Sequence, residues 1–334
     1  MKISDRIHGT FDIKEQVLVD LINSRAVQRL GGIAQYGPPD RYYPFKGFSR
    51  LEHALGTMLL LRKVGASLET QIAGLLHDIS IYAFSHLAEW VFGDQKNEQL
   101  SESNPEFVER TDIPRILKRK GISLERVIDP KKHPLLELEK PEVCADRVDY
   151  SLRDQMAMPR YITMSLEGLK VHEGRLVFSS KIAAKVFGLN FINCQQYHWG
   201  HPKTNIVWYL FAKAMALGLE DGTIIREDFL QTDAYVLERL DASTNPEVSR
   251  LLGALPHSFR YELIENGPER IDKKFRYVDP KYIGGDGKIH VLSETDTSYK
   301  AELEQQRKTN EKGIKFNYKI KSLALLPDVQ KTSL

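Results

Sequence analysis

The chain has 334 residues, 42% of them hydrophobic and 28% charged, with a formal net charge of +2. That balance describes an ordinary globular protein, long enough for one large domain with a smaller appendage, and it gives no polybasic surface for nucleic acid or membrane. No run approaches the ~20 apolar residues of a membrane span, residues 1–10 hold no signal-peptide apolar core, and Cys144 and Cys194 match no zinc or redox spacing and read as thiols of a reducing compartment, so a cytoplasmic protein is expected.

Residues 1–10 read as a short extended lead-in closed by Gly9. Val17, Leu18, Leu21 and Ile22 have helical spacing and predict a first helix over about 14–23. Ser24 caps a second helix that carries Ala26, Val27, Leu30 and Ile33. Residues 36–47 hold three prolines, two glycines and four aromatics, a loop able to line a pocket, although Tyr42, Tyr43, Phe45 and Phe48 also fit plain packing. A long helix follows over about 49–64, with the apolar stripe Leu51, Leu55, Met58, Leu59 and Leu61. Gly65 stops it, and Ser67 caps the next helix, which ends in His77-Asp78. A short helix is expected over 84–92, a polar loop over 93–104, and two short helical pieces between Pro105, well placed in a first turn, and Leu138. Pro141 starts the helix that carries Asp146, Asp149, Tyr150 and Asp154. A strand–turn–strand pattern covers 169–179 around Glu173-Gly174, and helices resume over about 181–219, 228–240 and 246–255. From Phe259 the pattern turns strand-like, at 259–264, 274–278, 288–292 and 314–320. The prediction is a mainly α protein: a helical core over 1–255 with one short β-hairpin, and a small α+β subdomain over 256–334.

The stretch Ala73-Gly74-Leu75-Leu76-His77-Asp78-Ile79 ends a buried helix on two metal-competent side chains. A buried polar group costs roughly 2–7 kcal/mol unless it finds a partner. His53 upstream and Asp146 downstream, each on a predicted helix, are candidate partners. Two imidazoles and two carboxylates make a borderline-hard donor set, unsuited to copper or an iron–sulfur cluster. The ion stays open among Mn, Fe, Zn, Mg, Co and Ni. Adjacent residues cannot share one helical face, but at a helix end they can converge on one ion. The plainer reading has His77 capping its own helix and Asp78 capping the next.

Arg50-x-x-His53-x-Leu55-Gly56, Gly74-Leu75-Leu76-His77-Asp78 and Asp146-Arg147-Val148-Asp149-Tyr150 together resemble the HD superfamily of metal-dependent phosphohydrolases, whose signature is His…His-Asp…Asp on an all-helical scaffold. Asp5-x-Ile7-His8-Gly9, Gln28-Arg29-Leu30, Gln35-Tyr36-Gly37, Phe84-Ser85-His86, Asp149-Tyr150-x-x-Arg153-Asp154 and His201-Pro202-Lys203 extend the resemblance. They look like the branch that contains the deoxynucleoside triphosphate triphosphohydrolases, which Thr232-Asp233 and Val278-Asp279-Pro280 also fit. The resemblance implies that His53, His77, Asp78 and Asp146 hold a divalent metal ion. It puts Arg50 and Arg147 near the phosphates, where positive charge stabilises the transition state. It implies substrate contacts from Gln35, Arg50, Tyr150, Asp154 and His201, and a catalytic group made of Asp78, Arg50, Arg147 and His86 with Glu89 beside it. Self-association into dimers or larger assemblies is implied as well.

Several positions depart from that pattern. The run after His77-Asp78 reads Ile79-Ser80-Ile81-Tyr82-Ala83-Phe84-Ser85-His86, so Ile81 replaces a pocket histidine and cannot donate to a phosphate. Arg147 stands where lysine is common, Glu89 where aspartate is, and Asn97-Glu98 where the branch has His-Glu. An amide cannot shuttle a proton near neutral pH. Phe191 falls where an arginine is expected, and Trp199 where a tyrosine is. The leading expectation is therefore a metal-dependent phosphohydrolase of a nucleotide or related phosphate ester, similar to a dNTP triphosphohydrolase. A nucleotide monophosphatase or phosphodiesterase needs fewer phosphate-binding groups and is the alternative, followed by a regulatory protein that binds nucleotide with weak turnover. Plainer readings make His86 a core histidine, Glu89 a surface charge, Asp149 a cap or arginine partner, Asp154 half of an ion pair and Lys118-Arg119-Lys120 a solvated helix end. His8, His172, His198, His257 and His290 have no partner legible in the sequence.

Overall fold

The computed structural model describes residues 1–93, 104–154, 158–255, 259–272 and 274–320; Asn97, Glu98 and His257 lie outside the described residues. The chain is 53% helical, with sixteen helices among the described residues and only small sheets, so the mainly α reading holds.

The N-terminus forms a hairpin rather than a single extended lead-in. Strand β1 (Lys2–Asp5) pairs antiparallel with β2 (Gly9–Asp12), and Asp5 Oδ1 organises the turn by accepting from the amides of Ile7 and His8. Helices α1 (Gln16–Ile22) and α2 (Arg25–Arg29) follow, the second capped by Ser24, whose Oγ accepts from Val27 N. After the aromatic loop, α3 (Arg50–Lys63) starts at a Ser49 cap, and α4 (Leu68–Leu76) starts at Ser67, the cap the sequence predicts. Next come α5 (His86–Val91), α6 (Pro105–Glu109), α7 (Ile113–Lys118) and α8 (Leu124–Val127), so three short helices, not two, lie between Pro105 and Leu138. Helix α9 (Ala145–Arg153) starts four residues after Pro141. The amides of Ala145 and Asp146 donate to the carbonyls of Leu135 and Leu136, and residues 140–142 form a turn closed by Glu142 N to Glu139 O.

Helix α10 (Pro159–Gly168) leads into the hairpin of β3 (Leu169–His172) and β4 (Arg175–Phe178), turning at Glu173-Gly174. Helix α11 (Lys181–Cys194) widens into a turn over Gln195–Trp199 before α12 (Pro202–Glu220), α13 (Asp233–Asp241) and α14 (Pro246–Ala254). The remainder comprises β5 (Phe259–Leu263), β6 (Glu269–Ile271), β7 (Lys281–Ile283), β8 (Ile289–Val291), α15 (Leu292–Thr295), α16 (Thr297–Glu311) and β9 (Ile314–Ile320). Residues 274–278, read as a strand, join no ladder.

Elements on either side of residue 255 touch one another at several places. Strand β7 pairs parallel with β4, giving a sheet in the order β3-β4-β7-β8. The Tyr299 ring of α16 is fully buried against Gly188 of α11, where an added Cβ would lie 2.7 Å from it. Strand β9 lies between β5 and β6, and its Ile314 and Phe316 enter the apolar cluster formed by α12–α14 and the aromatic loop. A second cluster joins α1–α4 to α6–α8, and a third joins α3, α9 and α11 to the hairpin and α16. The polar side chains singled out by the sequence lie where these clusters meet.

Candidate metal centre and its cavity

Three helices deliver four donor side chains. The first turn of α3 brings His53, the end of α4 brings His77 followed by Asp78, and the first turn of α9 brings Asp146. His53 Nε2 lies 3.0 Å from Asp146 Oδ1 and 3.2 Å from His77 Nε2. His77 Nε2 lies 3.5 Å from both Asp146 Oδ1 and Asp78 Oδ2, and His53 Nε2 is 3.9 Å from Asp78 Oδ2. Bonds of about 2.0–2.2 Å to nitrogen and oxygen separate neighbouring donors by roughly 3.0–3.6 Å at octahedral or tetrahedral angles. His53, His77 and Asp146 fit one divalent ion, and Asp78 stands beside them with Oδ2 3.5 Å from His77 Nε2.

The proton inventory supports that fit. His77 also caps its helix, and its Nδ1 donates to the Gly74 carbonyl at 2.8 Å, which leaves Nε2 with a lone pair. His53 Nδ1 donates to Asp149 Oδ2 at 2.7 Å, so its Nε2 is likewise turned to the cluster. The two Nε2 atoms face each other at 3.2 Å, a contact that a proton on one of them or a metal ion shared by both would satisfy. Burial works against a charged His77, but Asp78 and Asp146 outweigh it and raise the imidazole to about 9. Burial also favours a neutral Asp78, yet Arg50, His77 and His53 hold its carboxyl below the ordinary range.

Asp149 is fully buried and serves three partners. Besides His53, it accepts from His8 Nε2 at 2.6 Å and from Arg153 Nε at 2.7 Å. Helices α3 and α9 come this close because Gly56 has no side chain; a Cβ there would collide with Arg153 and Asp149. His8, without a legible partner in the sequence, is thus tied to the metal centre.

A cavity of about 690 Å³ opens over the cage. Gln35, Arg50, His86, Arg147 and Tyr150 line it together with His77, Asp78 and Asp146. His53 is completely buried beneath them. Arg50 donates through Nη1 to Asp78 Oδ2 at 2.6 Å and through Nε to Ser85 Oγ at 2.9 Å, which leaves Nη2 to offer a phosphate. Glu89 is not a surface charge: it is fully buried behind His86, its Oε1 3.4 Å from the imidazole Nδ1.

Three placements differ from those expected. Arg147 reaches the cavity wall, but its guanidinium is committed: Nη1 donates to Leu138 O at 2.6 Å and to Cys144 Sγ at 2.9 Å, and Nη2 to Glu137 Oε1 at 2.9 Å. Asp154 lies behind the cavity, accepting from His198 Nδ1 at 2.5 Å and Trp199 Nε1 at 3.0 Å. His201 caps α12 instead of lining the cavity, its Nδ1 accepting from Lys203 N at 3.2 Å. The histidine that lines the cavity is His198, three residues earlier, carried there by the widened turn after α11. Its one sequence signal is its place in Tyr197-His198-Trp199 between two helices.

Ile81 packs in the cluster of α1–α4, 1% exposed, and contributes nothing to the cavity. Phe191, Tyr150 and Trp199 form a mutually touching aromatic wall, with ring centroids 5.0–5.9 Å apart. The sequence reading missed Lys274, Arg276 and Tyr277, which the extended 274–278 segment contributes to the cavity, along with Lys131 and Lys140.

Residues 50–150 match the HD domain family model, a span that contains all four candidate ligands. YdhJ of Bacillus subtilis (strain 168), an uncharacterized protein, is 36% identical over 292 residues, which cover 84% of this chain and 88% of that protein. The chain belongs to the HD-domain family. The metal-dependent phosphohydrolase cns2 of Cordyceps militaris is 38% identical over 156 residues, 46% of this chain and 45% of that protein. The crystal structure of phosphohydrolase BT4208 from Bacteroides thetaiotaomicron shares this HD-domain fold, with a TM-score of 0.70 at 18% identity, over 95% of this chain and 98% of that one. No described helix is long and apolar enough to cross a membrane.

Proposed function

We propose that this HD-domain protein is a metal-dependent phosphohydrolase acting on a nucleotide or related phosphate ester. The observation that carries the reading is the convergence of His53, His77, Asp78 and Asp146 on a cavity with cationic and aromatic walls. A divalent ion held there would polarise a phosphoryl oxygen and make a bound water more acidic. The name of the relative cns2 supports the same class. Arg50 would grip a phosphoryl oxygen through Nη2 while Asp78 and Ser85 hold its guanidinium in place. His86, with Nδ1 turned to Glu89, has Nε2 to hand a proton to the leaving oxygen. Tyr150, Phe191 and Trp199 would shelter the organic part from water.

Within that class the cavity favours a monoester or diester. Ile81 is turned into the core and Arg147 is committed to Glu137 and to the Leu138 carbonyl, so two groups that would steady a triphosphate are not offered. One observation favours the triphosphate reading: Lys131, Lys140, Lys274 and Arg276 also reach the cavity and could meet a longer phosphate chain. The test is product analysis. Protein loaded with Mn, Fe, Co, Ni, Zn or Mg is incubated with a pool of dNTPs, nucleoside monophosphates and cyclic dinucleotides, and the products are separated by chromatography. Orthophosphate from monophosphates, or opened diesters, is expected. Tripolyphosphate would select the second reading, and no turnover with any metal would refute both.

A further inference from the structure

The cavity continues past the cage along α5. His86 and Trp90 are four residues apart on that helix and share a face, and both line the cavity. Trp208 of α12 meets Trp90 edge-on, ring centroids 5.3 Å apart. Across from them, Gly37 at φ +86° lets the Gln35-Tyr36 turn approach α5 and α12 closely; a Cβ there would lie 3.0 Å from Leu87 Cβ and 3.3 Å from Trp208.

Two polar atoms in this lobe are buried without a hydrogen-bond partner. Trp90, 6% exposed, leaves its Nε1 unpaired, and Gln35 leaves Oε1 unpaired; no other described residue of the cavity is in that condition. An indole N–H can only donate and an amide oxygen can only accept. Nearby, the Asn205 amide donates to the carbonyls of Trp199 and His201, so its oxygen is what it can offer a ligand. The walls of the same cavity carry flat faces, Tyr36, Tyr43 and Phe48 of the aromatic loop together with Trp90 and Trp208. A simple sugar phosphate would meet the polar atoms but has no plane to lay between the rings. A plain aryl phosphate would fill the plane but leave Trp90 and Gln35 unsatisfied. A heteroaromatic ring with acceptors and donors on its edge meets both demands.

We infer that this lobe seats the base of a nucleoside, with the Trp90 indole donating to a base acceptor and Gln35 accepting from an amino or hydroxyl group. The inference rests on the nucleotide reading above and makes Trp90 a specificity-determining residue. The chain has three tryptophans, and Trp90, Trp199 and Trp208 all line the cavity, so intrinsic fluorescence reports its occupancy. The experiment titrates adenosine, guanosine, cytidine and uridine, with ribose 5-phosphate as the base-free probe, into metal-loaded protein. At least one nucleoside should quench saturably. Trp90→Phe, which keeps a ring and removes the N–H, should weaken that nucleoside about tenfold, with metal content unchanged and ribose 5-phosphate binding altered less than about twofold. On the unaltered protein, one analogue of that nucleoside lacking a single base acceptor should show the same loss. Nucleoside binding without hydrolysis of any phosphate ester would leave this assignment standing and sink the hydrolase reading. Hydrolysis of phosphate esters by a protein that binds no nucleoside, or a Trp90→Phe variant and acceptor-deleted analogues that all bind as the originals do, would overturn the assignment alone.

Discussion

Asp149 never faces the cavity, yet it decides which nitrogen of His53 does. Its Oδ2 holds the His53 Nδ1 proton while Oδ1 is held by His8, and Arg153 neutralises the carboxylate from the same helix. Partners of this kind raise ligand basicity and fix ring orientation, and their loss typically costs roughly 10–100-fold in metal affinity. His8→Ala should therefore weaken metal binding by about that factor, read by titration with Mn or Co, while Arg153 still holds Asp149 and the fold stays intact. An unchanged affinity would show that His8 is only packing. The donors His53, His77, Asp78 and Asp146 were legible because each stands next to a helix signal. His8 was not, since its partner is 141 residues away and no local pattern links them. His198 lines the cavity where the resemblance pointed to His201, because the widened turn over Gln195–Trp199 shifts which residue points inward, and spacing alone does not show an extra residue in a turn. Arg147 follows a ligand in sequence, but on α9 that step turns its guanidinium toward Glu137 and the Leu138 carbonyl.

The turn before α5 places His86, and it does so in a backbone that only a surrounding structure can hold. Phe84 and Ser85 have φ of +62° and +53°, and left-handed non-glycine residues cost on the order of 1–3 kcal/mol each. Asp233, the first residue of α13, offsets this by accepting from Phe84 N at 2.6 Å and from Ala34 N at 2.7 Å. Ser85 Oγ donates to Ala34 O and accepts from Arg50 Nε. One carboxyl group thus ties the turn of His86 to the segment of Gln35, so these two cavity residues are held together. Burial raises the Asp233 carboxyl to about 7, so Asp233→Ala removes two bonds worth roughly 0.5–3 kcal/mol each. It should lower kcat about tenfold or more while metal stoichiometry, measured by elemental analysis, stays at the wild-type value. Loss of metal in step with kcat would mean that the variant fails through general unfolding. Capping serines announced α2 and α4 correctly because a cap is a local bond. Pro141 announced α9 too early because the competing bonds, from Ala145 and Asp146 to Leu135 and Leu136, come from a segment the helix signal does not include.

At the scale of the whole molecule, the last quarter of the chain contributes to the site and to the elements around it. It supplies Lys274, Arg276 and Tyr277 to the cavity, adds β7 to the β4 edge, and closes the third apolar cluster with Tyr299 and Leu303 of α16. The sequence suggested a separate appendage because its short strands differ in period from the helices before them. Period says nothing about which distant edge a strand will join. Helix α16 went unread since only Tyr299, Leu303 and Gln306 are buried on an otherwise charged helix. Its attachment turns on Asp296, which caps α16 by accepting from Tyr299 N at 3.0 Å and binds Lys185 Nζ of α11 at 2.9 Å. The Ser298 hydroxyl, Lys185 and the Tyr299 amide hold the Asp296 carboxyl below the usual range. A depressed carboxyl contributes stability that is present above its unfolded value of about 3.9 and is lost as pH falls through the folded one. Asp296→Ala should accordingly be less stable than the parent at pH 7, by about 1 kcal/mol for the cap alone. The gap between the two proteins should then narrow below about pH 4, as the parent's unfolded chain takes up the proton that its folded Asp296 resists. Urea unfolding of both proteins at pH 7 and pH 3 reads this directly, and a gap that holds constant or widens in acid would remove Asp296 as the ionic tie between α16 and α11.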